Sequence, residues 1–400
     1  MNKIYLLYHS LFQGVPSLNW LPAHIEMDGT ELHEGLCHDP LFEFKDISKV
    51  ASQDNWLYEL NYFFTPQDFT DDCTILDRIV HDQKLMEGLH QGKGKVLVNL
   101  MHEGYFPELV EQMIGFLRSK NIPDNAVICA SGAANAADIF PARGMIYQTI
   151  STRYFESRST RWIKWGNFSS QPRSNVSRRF ICFNRRFRSH RLQLLAYLHE
   201  ADVLDQFYIS FGRSVEGLDA KQSARDFCRD LPDVEKVIKN IDALYDRLPF
   251  ILDNSVLDYN LVDEHFNKNV LQLYADSGIS VISETLFHTD SIFHSEKTYH
   301  PMRYCQPFIM VNASGSLATL RRDGYRTFGD FWDESYDDIK DHHARMQAII
   351  QLIKEIAAWS DSKFKQFLID SREICLHNLR LLESCHDRLD YIADISKIFD

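Results

Sequence analysis

The hydrophobic positions of this chain fall in short blocks, and the blocks are sharpest between Lys95 and Ala130. Val96-Leu97-Val98-Asn99-Leu100 is a nearly continuous apolar run, residues 107–118 carry a helical pattern, and residues 126–130 form a second run. Strands buried on both faces of a parallel sheet lose the polar alternation of a half-exposed strand. Two such runs around a helix therefore predict a β-α-β unit. Its turns, Met101-His102-Glu103-Gly104-Tyr105 and Ser131-Gly132, then follow strand carboxyl ends, the edge at which α/β sheets hold ligands.

The same grammar returns further along. Arg179-Phe180-Ile181-Cys182-Phe183 predicts a strand, Asn184-Arg185-Arg186-Phe187-Arg188-Ser189-His190-Arg191 a basic turn, and Leu192, Leu194, Leu195, Leu198 and Val203 a helix. Residues 206–212 predict another strand. Residues 219–245 predict helical segments broken at Leu231-Pro232, and 260–274 a further helix. Then come three short apolar runs, 279–282, 307–311 and 325–328, with Glu284 just past the first. Between them lie Ser295-Glu296-Lys297-Thr298-Tyr299-His300 and the loop Asn312-Ala313-Ser314-Gly315-Ser316. Met346, Ile349, Ile350, Ile353 and Ile356 predict an amphipathic helix, with one or two more beyond Phe364. Residues 4–8 predict a first strand, whereas the aromatic stretch 56–64 shows no period. The fold class is α/β, with one domain over residues 1–170 and a second over 171–400, joined near Gln171-Pro172-Arg173.

Composition narrows the class. Four hundred residues at 44% hydrophobic and 25% charged suffice for two domains with full cores. The net charge of -13 weighs against a broad nucleic-acid surface, which needs clustered Lys and Arg. The eight cysteines are scattered without a Cys-x-x-Cys pair and read as reduced core residues of a cytoplasmic protein. No run approaches the ~20 apolar residues of a membrane helix, so no membrane span is expected.

Several residues carry candidate chemistry. Glu103 or His102, past a buried strand, is a candidate catalytic base facing an acceptor, or else caps the next helix. A strand, a basic turn and a helix make an anion site, because the helix start offers N–H groups and a positive dipole while arginines add bidentate charge. This turn has no glycine, so its grip rests on side chains: Asn184, Arg185, Arg186 and Arg191. Glu284 is a candidate acceptor for sugar or ribose hydroxyls. Glu296 and Lys297 are either ligand groups or a salt-bridged helix start. His294 and Tyr299 would flank the same pocket. The acidic turn 333–338 lacks the glycine-bearing pattern of an oxygen-ligand loop and is expected to cap a helix. Basic residues interleaved with Trp162 and Trp165 make either a nucleic-acid strip or a basic wall.

Glu284, Phe293-His294-Ser295-Glu296-Lys297-Thr298-Tyr299, Pro307-Phe308 and Gly315-Ser316-Leu317 together resemble the donor half of GT-B glycosyltransferases. The style is that of the alpha-1,3-fucosyltransferases and exostosin-type enzymes. A group of glycosyltransferase-like proteins of phages and aquatic microbes is similar too, in its Ser-Glu-Lys-Thr segment, its Asn-Arg-Arg turn and its later Asp333-Glu334-Ser335-Tyr336-Asp337. The likeness covers mainly residues 178–340, and the aromatic-rich segment that precedes the fucosyltransferase element is not intact here.

The resemblance implies two Rossmann-like domains facing a cleft, the first taking a hydroxyl acceptor and the second a nucleotide sugar. It further implies that Ser295, Glu296, Lys297 and Tyr299 lie at the donor, with Glu296 on the ribose, and that transfer inverts the anomeric centre. Enzymes of the other large class often use an Asp-x-Asp metal motif, which this chain lacks. Arg185, Arg186, Arg191 and Lys297 would then neutralise the departing diphosphate, with no metal and no cofactor beyond the nucleotide-sugar cosubstrate. A glycan or related acceptor is the expected partner. Two alternatives stand beside this reading: an idle sugar-nucleotide or glycan-binding protein, and a phage-type enzyme that glycosylates modified DNA bases.

Overall fold

The computed structural model describes residues 4–8, 42–46, 49–51, 53–61, 79–100, 107–142, 148–151, 156, 176–184, 187–211, 220–244, 247, 268–385 and 397–399. The chain forms two compact units, Met1–Tyr154 with Asp387–Asp400, and Phe155–His386.

The first unit is built on β1 (Ile4–Tyr8), β2 (Phe42–Asp46), β3 (Asn55–Asn61), β4 (Gly94–Leu100), β5 (Val127–Ser131) and β6 (Gln148–Ser151), ordered β2-β1-β3-β4-β5-β6. Every pairing is parallel. Helices α1 (Gln83–His90), α2 (Pro107–Ser119) and α3 (Ala136–Ala142) connect the later strands. The β-α-β unit expected between Lys95 and Ala130 is β4-α2-β5. Val96, Leu97 and Val98 are fully buried there, as are Ile128 and Cys129. Trp56 lies against Gly94 so closely that a Cβ on that glycine would sit 2.2 Å from the indole Cζ2. Only a residue without a side chain permits that approach.

The second unit repeats the topology. Strands β7 (Arg178–Asn184), β8 (Phe207–Phe211), β9 (Ser277–Ser283) and β10 (Phe308–Val311) form a parallel sheet ordered β10-β9-β7-β8. Renumbered within each unit, both sheets place the first strand between the second and the third. That order is the doubly wound one whose ligands sit where the connections change direction. The helices are α4 (Ser189–Glu200), α5 (Ala220–Cys228), α6 (Val234–Leu244), α7 (Lys268–Ala275), α8 (Glu296–Arg303), α9 (Ser316–Arg322), α10 (His342–Ala357), α11 (Asp361–Asp370) and α12 (Arg372–Ser384).

Successive residues of β7 serve opposite faces. Phe180 and Cys182 belong to the main core with Leu192, Leu195, Ile349 and Ile353. Ile181 and Phe183 pack instead with Tyr274 and Tyr304. Asp341 and Ser360 cap α10 and α11 through the backbone N–H groups of Ala344 (2.7 Å) and Lys363 (3.2 Å), as short oxygen side chains do.

The apolar run 325–328 forms no strand. Tyr325 and Phe328 are buried, but the Arg326 backbone is satisfied by one side chain. Its N–H donates to Asn378 Oδ1 and its carbonyl accepts from Asn378 Nδ2, each at 2.8 Å. The amide of α12 supplies what a neighbouring strand would have supplied.

Candidate functional site

In the second unit the connections reverse between β7 and β9, and the residues just past these strands form the candidate site. Strand β9 ends on Ser283, and Glu284 follows with no exposed surface. Its carboxylate faces inward. Oε1 accepts from the Ser295 N–H (2.9 Å) and the Thr298 hydroxyl (2.6 Å). Oε2 accepts from the Ser295 hydroxyl (2.6 Å) and the Thr285 N–H (3.3 Å). Ser295 in turn caps α8 by accepting from the Lys297 N–H at 3.3 Å. Glu284 is thus the post on which the first turn of α8 is built, and its role as a direct contact to ligand hydroxyls gives way to a positioning one.

The start of α4 is tied to the same place from the other side. The Glu284 carbonyl accepts from His190 Nε2–H at 2.9 Å. Arg191 Nη2 donates to the carbonyls of Ser283 and Glu284, both at 3.3 Å. His190 and Arg191 are buried, and burial, with Arg188 beside it, lowers the Arg191 guanidinium to about 10. Arg191 therefore serves backbone carbonyls at the strand end, which corrects its assignment as a free cation for a phosphate. The turn itself begins α4 at Arg188 with no side-chain cap.

Further polar side-chain atoms are buried at this edge. Asn184 donates through Nδ2 to Cys182 Sγ (3.1 Å), and its Oδ1 is buried without a hydrogen bond, as is Ser283 Oγ. The parallel register pairs Phe180 with Ile279 and Ile181 with Ser280. Carried on by the two-residue pleat, it sets Asn184 and Ser283 level on one face of the sheet.

Of the remaining expected site residues, Glu296 and Lys297 stand on the first turn of α8 as an ion pair of 2.6 Å, their side chains 29% and 28% exposed. Lys297 Nζ also donates to Ser295 Oγ at 3.2 Å. Tyr299 turns into the core against Tyr325, ring centroids 6.1 Å apart. Its expected place at the donor is corrected accordingly: position 299 lies on the inner side of α8. His294 is buried too. His102, Glu103, Arg185, Arg186 and the basic stretch 157–173 lie outside the described residues.

The loop after β10 closes on itself. Asp337 accepts from the N–H groups of Leu317 and Ala318, one on each carboxylate oxygen at 3.0 Å. Its carbonyl takes the N–H of Gly315 at 2.8 Å, where φ is +87°. A carboxylate of the chain itself thus fills the anion position at the start of α9, and the acidic turn is a cap.

Arg345, which sequence reasoning passed over, anchors this neighbourhood. Only 1% exposed, it donates to the carbonyls of Phe287 (2.7 Å), Asn312 (3.1 Å) and Ile339 (2.6 Å). The missed signal was its place four residues before Ile349, on the apolar stripe of α10. Among the described residues no group of three or more His, Cys, Asp or Glu side chains is placed to hold a metal ion. None of their helices is long and apolar enough to cross a membrane.

The edge carries buried histidines with a measurable consequence. Burial, reinforced by Arg191, holds His190 well below the ordinary imidazole value, and burial with His342 nearby brings His288 to about 4. A depressed folded-state value means stability that is complete above the unfolded value near 6.5 and is lost as pH falls through the folded one. The melting temperature should therefore hold above pH 6.5 and fall between pH 6.5 and 4. His288→Gln should make that fall shallower, and an unchanged slope would contradict the assignment.

No protein-family profile matches the chain, and no curated protein matches it. Among solved structures, it is similar to an alpha,alpha-trehalose-phosphate synthase (UDP-forming) from Burkholderia vietnamiensis, at 12% identity and a TM-score of 0.41, over 88% of this chain and 76% of that one. It is similar to MnaA of S. aureus in complex with UDP, at 12% identity and a TM-score of 0.39, over 100% and 98% of the chains. The N-terminal domain of a Candida albicans trehalose-6-phosphate phosphatase aligns at 10% identity and a TM-score of 0.44, over 100% and 97%. Likeness at this level decides neither ligand nor activity. The chain is an α/β protein of two parallel-sheet units.

Proposed function

We propose that the protein is a glycosyltransferase that takes a nucleotide sugar at the carboxyl edge of β7 and β9 and transfers the sugar to a hydroxyl acceptor. The observation that carries this reading is the convergence at Glu284. Its carbonyl fixes the uncapped start of α4 and its carboxylate fixes the start of α8. Two helix beginnings and a half-exposed Glu296–Lys297 pair are thereby held around one strand crossover.

Each part suits one part of the donor. The first-turn N–H groups of α4, with Arg185, Arg186 and Arg188 just before it in the sequence, would supply positive charge for a diphosphate. That charge matters most as the leaving group departs, when negative charge builds on its bridging oxygen. The Glu296 carboxylate can accept from both hydroxyls of a ribose diol, with Lys297 holding it in place. Asn184 Oδ1 and Ser283 Oγ form a polar floor. Glu103 or His102 would remove the acceptor proton, and an in-line attack by that acceptor would invert the anomeric centre. Neutralisation by side chains and helix N–H groups needs no metal, in keeping with the lack of an Asp-x-Asp motif.

The test is a thermal-shift series with GDP, UDP, ADP, CMP and dTDP in EDTA, on the wild type and on Glu296→Gln and Lys297→Ala. A ligand that binds only the folded state raises the melting temperature with its concentration over Kd. At least one nucleotide should stabilise the wild type and lose tenfold or more in affinity for Glu296→Gln. If no nucleotide shifts the protein, the glycan-binding reading replaces this one.

A further inference from the structure

Behind the Glu296–Lys297 pair, on the sheet face opposite Asn184, lies a cavity of about 40 Å³ lined by Phe183, Tyr274, Lys297, His300 and Pro301. Its floor is the sheet itself, at Ile181, Ser280 and Ile282. The walls are mostly flat and apolar. Phe183 is half-buried, and its ring stands 5.6 Å from that of Tyr274, tilted by 55°. The floor hydroxyl of Ser280 is already committed to Gln306 Oε1 at 2.5 Å. The remaining polar groups are Lys297 and His300 at the rim and Ser283 at the strand end.

From these features we infer that the cavity seats the base of the donor nucleotide, and that this base is a pyrimidine bearing carbonyl oxygens. The inference rests on the nucleotide-sugar reading above and names the class of donor. A ribose held on Glu296 projects its base into adjacent space, and this cavity, with the next residue of α8 on its wall, is the adjacent space. Aromatic and proline faces suit a planar ring, since stacking on a side chain tolerates any heterocycle. Size then selects. By this measure a single water needs roughly 10–15 Å³, so 40 Å³ holds about three waters. That shelters one six-membered ring, and a fused purine would have to extend past the open mouth of the cavity. The rim agrees: a lysine ammonium only donates, and the carbonyl edge of uracil or thymine only accepts at its oxygens. Guanine too offers acceptors to a lysine, at O6 and N7, so the choice between one ring and two rests on the size of the cavity.

Equilibrium binding of UDP, dTDP, GDP, ADP and ribose 5-phosphate to the full chain tests this, together with Phe183→Ala, Phe183→Tyr and His300→Ala. UDP or dTDP should bind at least tenfold more tightly than GDP and ADP. Phe183→Ala should lower that affinity about tenfold and leave ribose 5-phosphate unmoved, whereas Phe183→Tyr, which keeps the ring, should restore it. Tighter binding of GDP or ADP, or indifference to Phe183→Ala in a folded variant, would overturn the pyrimidine pocket while leaving the donor site standing. Binding of no nucleotide at all would overturn both.

Discussion

Glu284→Ala should destabilise the second unit by on the order of 4 kcal/mol, because it strands one buried and one part-buried N–H group and two hydroxyls that converge on one carboxylate. Charge-assisted bonds are the strong ones, and here four meet on a residue with no exposed surface. For a unit of this size such a loss lowers Tm by on the order of 10 °C. Glu284→Gln should cost about half as much. The amide keeps the shape and one acceptor but turns a donor toward Ser295 or Thr298, whose hydroxyls can rotate to meet it. Hydrogen exchange should locate the damage at the first turn of α8, and nucleotide affinity should fall with it, since Glu296 and Lys297 stand on that turn. A Tm within 2 °C of wild type for Glu284→Ala would show that the carboxylate is not the post described here.

The second large effect belongs to Arg345. Its guanidinium spans carbonyls from three segments, Phe287, Asn312 and Ile339 with Lys340, and its plane lies 4.4 Å from the centroid of the Phe287 ring. Burial lowers it to about 10, offset by the fields of Asp337 and Asp341, so it remains charged at neutral pH. Arg345→Met, which fills similar volume, leaves those carbonyls without donors and should cost roughly 3–4 kcal/mol. Arg345→Lys should recover little, because a single ammonium cannot reproduce the planar fork. Thermal unfolding checks both variants. A lysine variant as stable as wild type would show that charge alone suffices.

These two residues also mark where the sequence stops being readable. Buried parallel strands announce themselves as apolar runs, so β4, β5, β7, β9 and β10 could be placed from sequence. β3, Asn-Trp-Leu-Tyr-Glu-Leu-Asn, escaped because Glu59 breaks its apolar run. Trp56, Leu57 and Tyr58 are all buried, both faces of the strand are covered, and no period survives. β2, Phe-Glu-Phe-Lys-Asp, is short and carries charge at alternate positions. At the site the Ser295-Glu296-Lys297-Thr298 segment was legible as a helix start beside a strand end. Which way its side chains turn was not. Glu284 and Tyr299 look inward because residues 295 and 298 on one helix, and Tyr325 on a distant loop, meet them there. The cap that Asp337 makes on α9 joins residues twenty apart, a distance at which no local pattern speaks.

The proposed activity depends on a nucleotide-sugar donor site on the second unit. Its most direct test is release of nucleoside diphosphate from a panel of nucleotide sugars in EDTA, with water standing in for the acceptor, comparing wild type with Glu296→Gln. Slow release is expected from one class of donor, indifferent to the chelator, and Glu296→Gln should release at least tenfold more slowly at saturating donor or show a KM at least tenfold higher. Release from no donor by the folded protein, or release untouched by Glu296→Gln, would contradict it.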